Sequence, residues 1–592
     1  RTFRRKKDAE ELSCGFEVVV KVGIAQDSID LRNVNLGDVI YKNSYIDQPY
    51  VLQLPDDSWL CVFTTGAESE SRPGQHIVAI KSFDHGKTWS NPVKIEQNTG
   101  PISSWAIPYR TSHGRIYVFY NYNGDNVSTV RGKSIKQAGL LGWYCYKYSD
   151  DNGNTWSNQR YRIPIRVTAA DIYNEFYGKV QMFWGIDKPH YFNGAVYFAF
   201  SKLGEFPQGK GEGWLLKSDN LDTESDPSKV NWEMLPDGEY GIRNADFYSV
   251  QEEHNTVVLE DGSIYCVFRT ALGFLGYTVS RDNGESWTHP DTLRYAADAP
   301  NIIKNPRACP RLFKCSNGKY LLWYHNHGGK DFKERSPVWI AGGVEKNGTI
   351  EWMQPEILLY THDTDVNGMS YPDLIEKDGN FWITETQKKT ARTHMIDPSL
   401  LEGLWRQPDN NTLTSKGLIW SKSNIRKKMS VRLPRLPLIS DNGMTIEMKV
   451  KFESLAPGQV LLDSRSENNQ GIYIATAENN ALQITLIDNA GNSYSWITDK
   501  NMLTIQKEHY ISIVVDGKAH VLSTIIDGRL CDGGKDRQYG WGKYSHSLGN
   551  INSLGKLHIL SQCDASIETL RIYGRYLRTS ECIANYRFLS NK

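Results

Sequence analysis

Most residue patterns with a defined chemistry are absent from this chain. It holds no G-x-x-x-x-G-K-[ST] phosphate loop, no H-E-x-x-H metal helix and no G-x-S-x-G nucleophile turn. His325 and His327 in WYHNHGG alternate, so on a strand both rings face one side. No third ligand stands near them in sequence, and no metal is assigned. What remains is carboxylates, cations and aromatic rings where short strands open. WGIDKPH sets Asp187 and Lys188 at one opening, suited to gripping sugar hydroxyls or an acidic group. NPRACPRLF adds Arg307 and Arg311. Trp105 in SSWAIPYR, Trp184, Tyr324, His325 and His327 could line a sugar subsite, because flat rings with a polar edge suit a pyranose face. Each has a plainer alternative, the charged groups as salt bridges and the aromatics as sheet core.

The elements that must position these residues are strands. Runs such as YVLQL, WLCVF, RIYVFY, AVYFAF, SIYCVF, YLLWYH and NFWITE are punctuated by DG, NG, DN and GK turns, with no long window of helical periodicity. The 592 residues suit two or three domains, since all-β domains run large. Lys+Arg and Asp+Glu are 68 each, a balance that excludes nucleic acid as a bulk partner. No apolar stretch approaches the roughly 20 residues of a membrane span. Nine cysteines, an odd number with no C-x-x-C pair, argue against a zinc ribbon or a full disulfide framework; Cys61 and Cys266 read as buried small hydrophobes. The opening RTFRRKKDAEELSC lacks the apolar core of an export signal. A secreted, periplasmic or cell-surface location therefore implies a signal already removed.

One repeat organises the chain. SFDHGKTW from Ser82, SDDNGNTW from Ser149 and SRDNGESW from Ser280 share S-x-D-x-G-x-[TS]-W, and worn copies end at Trp232 and Trp352. The five tryptophans are separated by 67, 76, 55 and 65 residues, one four-stranded unit each with insertions. The motif predicts a hairpin turn in which Asp bonds backbone amides, Gly takes a positive φ and Trp plugs the loop. These repeats resemble the Asp boxes of sialidase-like six-bladed β-propellers, and the resemblance covers residues 35–425. From 426 to 592 the texture changes. MTIEMKVKFESL, HYISIVVDGKAHVLSTIIDGRL and IETLRIYGRYLRTSE resemble a laminin-G or concanavalin-like β-sandwich jelly roll, which could bind carbohydrate or only pack. Residues 1–34 read as an N-terminal extension. No cofactor is called for; a structural calcium could sit in the Asp- and Asn-rich loops, though no ligand spacing singles one out.

The resemblance also implies a site. YPDLIEKDGNFWITE is similar to the sialidase segment whose opening tyrosine is the nucleophile, which points to Tyr371. A phenol titrates near ~10 and needs a neighbouring carboxylate as base. Aligning QEEHNTVVLEDGSIYCVFR with the family pattern puts Glu253 in that position, with Glu252 the alternative by a one-residue slip. Arg269 falls where sialidases carry one of three arginines that clamp a substrate carboxylate, and Arg307 or Arg311 could stand in for another. Two departures count against ordinary sialidase activity. Asp47 and Gln48 stand where the family opens with Arg-Ile, and SRPGQHIVAIKS offers His76 where the family has its acid/base Asp. Asp47 becomes a candidate general acid if apolar neighbours raise its pKa, with His76 in competition. The expected function is an exo-acting glycoside hydrolase removing a terminal, acidic or decorated sugar from a polysaccharide or glycan. A lyase acting at a uronic acid and a non-catalytic glycan-binding protein are the alternatives.

Overall fold

The computed structural model describes residues 18–19, 29–296, 299, 301–363, 368–433, 439–553 and 555–590. Most of the expected N-terminal extension, and Cys14, lie outside them. The all-β expectation holds, with 45% strand and 7% helix. The chain divides into two compact units, one of residues Ile29–Asp409 with Arg537–Tyr539, the other of Arg1–Ser28, Asn410–Asp536 and Gly540–Lys592.

The larger unit is built from antiparallel meanders. In the first, Tyr45–Gln53, Trp59–Gly66, His76–Ser82 and Val93–Lys94 pair in order. The second strand, WLCVFTTG, is buried at every position, as a central strand covered on both faces must be. Gln251–Val258 opens another meander, and Arg311–Lys314 opens the next. Leu374–Lys377 opens the last, whose outer strand Thr390–Ile396 pairs with Asp38–Lys42 from the beginning of the unit. That pairing ties the two ends of the unit together without leaving an open edge between them. The sheets do not separate into six blades, because Leu141–Gly142 pairs with Gln181–Met182 and runs two meanders into one nine-stranded sheet.

The Asp boxes fold as local circuits. Asp84 accepts from the Thr88 amide at 2.8 Å and its hydroxyl at 2.6 Å, while Ser82 Oγ accepts from the Gly86 amide at 2.8 Å. Gly86 sits at φ 84°, and the half-buried Trp89 donates its indole N–H back to the Gly86 carbonyl. The same serine and aspartate bonds recur at Ser149–Thr155 and Ser280–Ser286. In the worn copy Asn220 replaces the aspartate and accepts from the Asn231 amide.

Polar side chains on or just outside the strands latch one meander to the next. Asp187 accepts from the Thr256 amide and hydroxyl, at 3.1 and 2.6 Å. Asn255 accepts from the Leu312 amide at 2.7 Å, and Asp373 from the Val51 amide at 2.8 Å. Each closes a buried backbone donor that no sheet partner reaches.

The smaller unit is a β-sandwich. One eight-stranded and one six-stranded antiparallel sheet enclose a core that includes Met448, Phe452, Leu482, Ile484, Ile511, Ile513, Leu570 and Ile572. In Ala481–Ile487 the residues Leu482, Ile484 and Leu486 alternate inward, the period expected of a strand with one face on a core.

Candidate active site

Three opening strands of the larger unit carry a residue in the left-handed backbone region, Gln48 (φ 49°), Trp105 (57°) and Glu253 (58°), and Tyr371 (50°) holds the same conformation just before the strand Leu374–Lys377. Each lies eight or nine residues before a second left-handed residue at the hairpin, Asp57, Gly114, Gly262 or Gly379. At the first three the pairing slips, between Asp47 and Tyr50, Ser104 and Ile107, and Glu252 and Asn255. A bulge with an unfavourable φ on a non-glycine residue turns a side chain out of the strand's alternation. The left-handed residue recurs at this position of four meanders, and the bulge at three of them.

Two of these residues meet. The Tyr371 hydroxyl donates to Glu253 Oε1 at 2.8 Å. Glu253 is fully buried, and burial pushes its carboxyl above the ordinary carboxylate range against the opposing pull of Arg269. Burial and the Glu253 charge push the Tyr371 phenol well above its ordinary value. Arg269 lies 2.9 Å from Glu253 Oε1 through Nη1, and its Nε and Nη2 reach Glu252 Oε2 at 2.9 and 2.8 Å. Arg307 holds the same Glu252, with Nη2 to Oε1 at 2.5 Å and Nε to Oε2 at 3.2 Å. Glu252 and Glu253 thus divide the work that sequence left open between them, Glu253 facing the phenol and Glu252 facing the guanidinium groups.

Asp47 lies beside this pair. It is fully buried and accepts from Tyr45 Oη at 2.7 Å, the Gln48 amide at 3.0 Å and Lys388 Nζ at 2.6 Å. Burial nevertheless raises its pKa, with Lys388 opposing. The Lys388 ammonium stands 4.7 Å from the Tyr371 ring centre and 3.5 Å from Glu70 Oε2. Trp105 and Trp184 pair at 6.3 Å between ring centres and pack with Tyr371 and Cys309; Arg269 lies 5.7 Å from the Trp184 ring.

The remaining sequence candidates sit elsewhere in the bonding pattern. His76 is half-buried, its Nδ1 is 2.9 Å from the Gly74 carbonyl, and burial lowers its pKa. None of its hydrogen bonds reaches Tyr371 or Glu253. Asp187 and Lys188 serve the frame. Asp187 is the latch to Thr256, and Lys188 Nζ bonds Asp373 at 2.7 Å and the Val51 carbonyl at 2.8 Å. Arg311 stands 3.5 Å from Asp187. Tyr324 is buried against the Tyr295 hydroxyl. His325 is fully buried, with burial pushing its pKa well down, and His327 Nε2 is 2.9 Å from the Glu334 carbonyl.

Three charged residues at this place went unread in the sequence: Lys388, Arg335 and Glu70. Arg335 bonds Ser370 Oγ at 2.6 Å, next to Tyr371, and its charge acts on both Glu253 and Tyr371. Glu70 lies in the loop that leads into the strand His76–Ser82, six residues before His76. Its only signal was membership of that loop, and Lys388 and Arg335 had none of their own.

Residues 60–383 match the BNR repeat-like domain family, and residues 426–583 the concanavalin A-like lectin/glucanases superfamily. A comparison with curated protein sequences finds no match. Among solved structures, the chain is similar to a protein of unknown function from Dyadobacter fermentans at 15% identity, covering 61% of this chain and 98% of that one, with a TM-score of 0.43. A Trypanosoma rangeli sialidase in complex with sialic acid is 11% identical over 97% of this chain and 98% of its own, with a TM-score of 0.42. A Hadza microbial sialidase is 15% identical over 60% and 66%, with a TM-score of 0.41. These likenesses bear no weight on activity. The repeats, the meanders and a family match spanning more than half of the sequence agree: this chain belongs to the BNR repeat-like domain family.

Proposed function

We propose that the protein is an exo-acting glycoside hydrolase that removes a terminal sugar from a polysaccharide or glycan, with Tyr371 as nucleophile and Glu253 as its base. The observation that carries this reading is the 2.8 Å hydrogen bond from the Tyr371 hydroxyl to a buried glutamate, with both residues on left-handed turns of the backbone. Strain held at a meeting point of two distant segments is the mark of a site positioned for work. The phenol oxygen attacks the anomeric carbon as its proton passes to Glu253, and the bond to the leaving oxygen breaks. Asp47, raised by burial, gives that oxygen its proton. Water then reverses the sequence: its oxygen takes the anomeric carbon, its proton returns to Asp47, and Glu253 reprotonates the tyrosinate. Configuration is retained because the carbon inverts twice.

Glu70 is the competing proton donor, since it is exposed to solvent and shares Lys388 with Asp47. His76, with no bond into this group, is the weaker choice. Lyase chemistry would need a cation to neutralise a uronate carboxylate; Arg269 and Arg307 are both engaged by Glu252, and Arg335, bonded to Ser370 Oγ and two backbone carbonyls, is the one at hand for that task. Replacing Tyr371 with Phe removes one oxygen from a site otherwise intact. Turnover of a cleaved glycoside should fall by about a thousandfold or more with the thermal midpoint little changed. Near-full activity in a folded Y371F protein overturns the assignment, and tight glycan binding without turnover by the unaltered protein favours the glycan-binding alternative.

A further inference from the structure

Residues 426–592 carry 21 Lys and Arg against 16 Asp and Glu, a surplus that the balanced chain as a whole does not have. Part of that surplus is laid out as a row. Arg426, Lys427 and Lys428 are exposed in the short loop that leads into the strand Met429–Arg432. This strand is the outer member of the six-stranded sheet, and among the described residues only Lys556–Ile559 pairs with it. Met429, Val431, Leu557 and Ile559 turn to the core, which puts Ser430, Arg432, Lys556 and His558 on the outer face. Arg432 and Lys556 stand directly opposite each other. We propose that this edge of the smaller unit binds an acidic polysaccharide, a linear chain of sugars bearing carboxylates or sulfates.

Two observations call for an anion there. Like charges set directly opposite in a sheet repel, and a bound anion reverses that cost. Among the described residues, none of the cations Arg426, Lys427, Lys428, Arg432 and Lys556 forms an ion pair, whereas Lys449, Lys451, Arg465, Lys500 and Arg575 of the same unit each hold a carboxylate. Asp463, across from His558, is spent on Arg465 at 2.8 and 3.0 Å. A charge or two is enough to guard a sheet edge against other strands, and this row of one sign exceeds that need. The surroundings select the kind of anion. From residue 426 to 432 the chain spans at most about 21 Å, so the cations form a line that a charged linear polymer can follow. Among the described residues from 410 to 496 no large apolar side chain is exposed, which leaves nothing to enter a membrane and no exposed ring for bases to stack on. A chain of sugars needs neither. Its charges meet the row, and its hydroxyls meet Ser430 and His558, which bond each other at 2.7 Å. Such binding asks nothing of Tyr371.

The full chain is measured by biolayer interferometry at about 50 mM salt against polygalacturonate, heparin, neutral dextran, phosphatidylserine vesicles and a DNA duplex, the charged probes at equal concentration of charge. Polygalacturonate or heparin should bind at least about tenfold more tightly than dextran and more tightly than vesicles or DNA, with affinity falling steeply as salt is added. Arg426→Glu, Lys427→Glu and Lys428→Glu together still guard the edge with charge, yet should weaken that binding by at least about tenfold. Lys500→Glu, Lys507→Glu and Lys535→Glu change the net charge equally from exposed positions elsewhere in the unit and should weaken it by less than about threefold. Lys556→Gln supplies a readout that a structural role would not: it relieves a repulsion, so the thermal midpoint should hold or rise while binding weakens by at least about threefold. The same variant decides the matter if the first triple variant does not fold. Acidic polysaccharides that bind no better than dextran, vesicles or DNA overturn the proposal. Equal losses from the two triple variants, or binding unmoved by Lys556→Gln, also overturn it.

Discussion

At the scale of single residues, the Tyr371–Glu253 contact fixes how activity should depend on pH. Glu253 must be ionised to take the phenol proton, and burial raises its pKa. The acid limb of kcat/KM should therefore lie above the ~4.3 of an ordinary glutamate, and a limb at or below that value contradicts the base assignment. The same shift has a consequence for stability. A carboxyl whose pKa is raised on folding favours the native state while protonated, and that contribution is lost as pH rises through the folded value. Glu253→Gln should accordingly lose activity and show a smaller fall in thermal midpoint from about pH 5 to 8 than the unaltered protein, because Arg269 keeps its bonds to Glu252. Tyr371, Glu253 and Arg269 were legible from their places in motifs. Lys388, Arg335 and Glu70 were not, since each reaches the site from a loop with no periodicity and meets its partners across long separations in sequence.

At the scale of elements, local turn chemistry explains what could be read. The Asp box sets its donors, its acceptor and its glycine within eight residues, so its three clean copies announced hairpins without any knowledge of tertiary structure. Gly284 shows how little room the motif allows: at φ 93°, an added Cβ would lie 2.6 Å from Leu215 Cδ2. Gly284→Ala should lower stability by about 1–3 kcal/mol, measured by denaturant unfolding, with no change in the pH profile of any activity. The bulges at Gln48, Trp105 and Glu253 were harder to see, because a slipped pairing is decided by the neighbouring strand and not by the strand's own alternation. Their constant distance from the hairpin is a pattern that sequence does carry. The latches had no such pattern. Asp187 and Lys188 looked like groups for a ligand, yet Thr256, Asp373 and the Val51 carbonyl occupy them. A charged residue at a strand opening is ambiguous until the next strand's backbone is in place.

At the scale of the whole molecule, composition identified the class of architecture more than the chemistry. Many of the aromatics are core: Trp59, Trp214, Trp323, Trp339, Trp352 and Trp420 are fully buried. The cysteines carry a further prediction. Cys61, Cys145, Cys266, Cys309 and Cys315 are buried free thiols. Burial holds the thiols of Cys61, Cys266 and Cys309 well above their ordinary pKa, which makes them poor thiolates. These three thiols should therefore resist alkylation in the native protein and react only after unfolding by denaturant, as peptide mass spectrometry can show; rapid labelling of any of them in the native protein would contradict their burial.

The central claim is that an oxygen of Tyr371 bonds to the anomeric carbon, and a trapped intermediate tests it most directly. A fluorinated glycosyl fluoride of whichever sugar is released should accumulate on the enzyme, because the ring fluorine slows both steps while the fluoride leaving group keeps the first one fast. Peptide mass spectrometry should then find the sugar on the peptide containing Tyr371, at the tyrosine, and find none in the Tyr371→Phe protein. A sugar attached to Asp47, Glu70 or Glu253, or full turnover with a product of inverted configuration, would contradict the account.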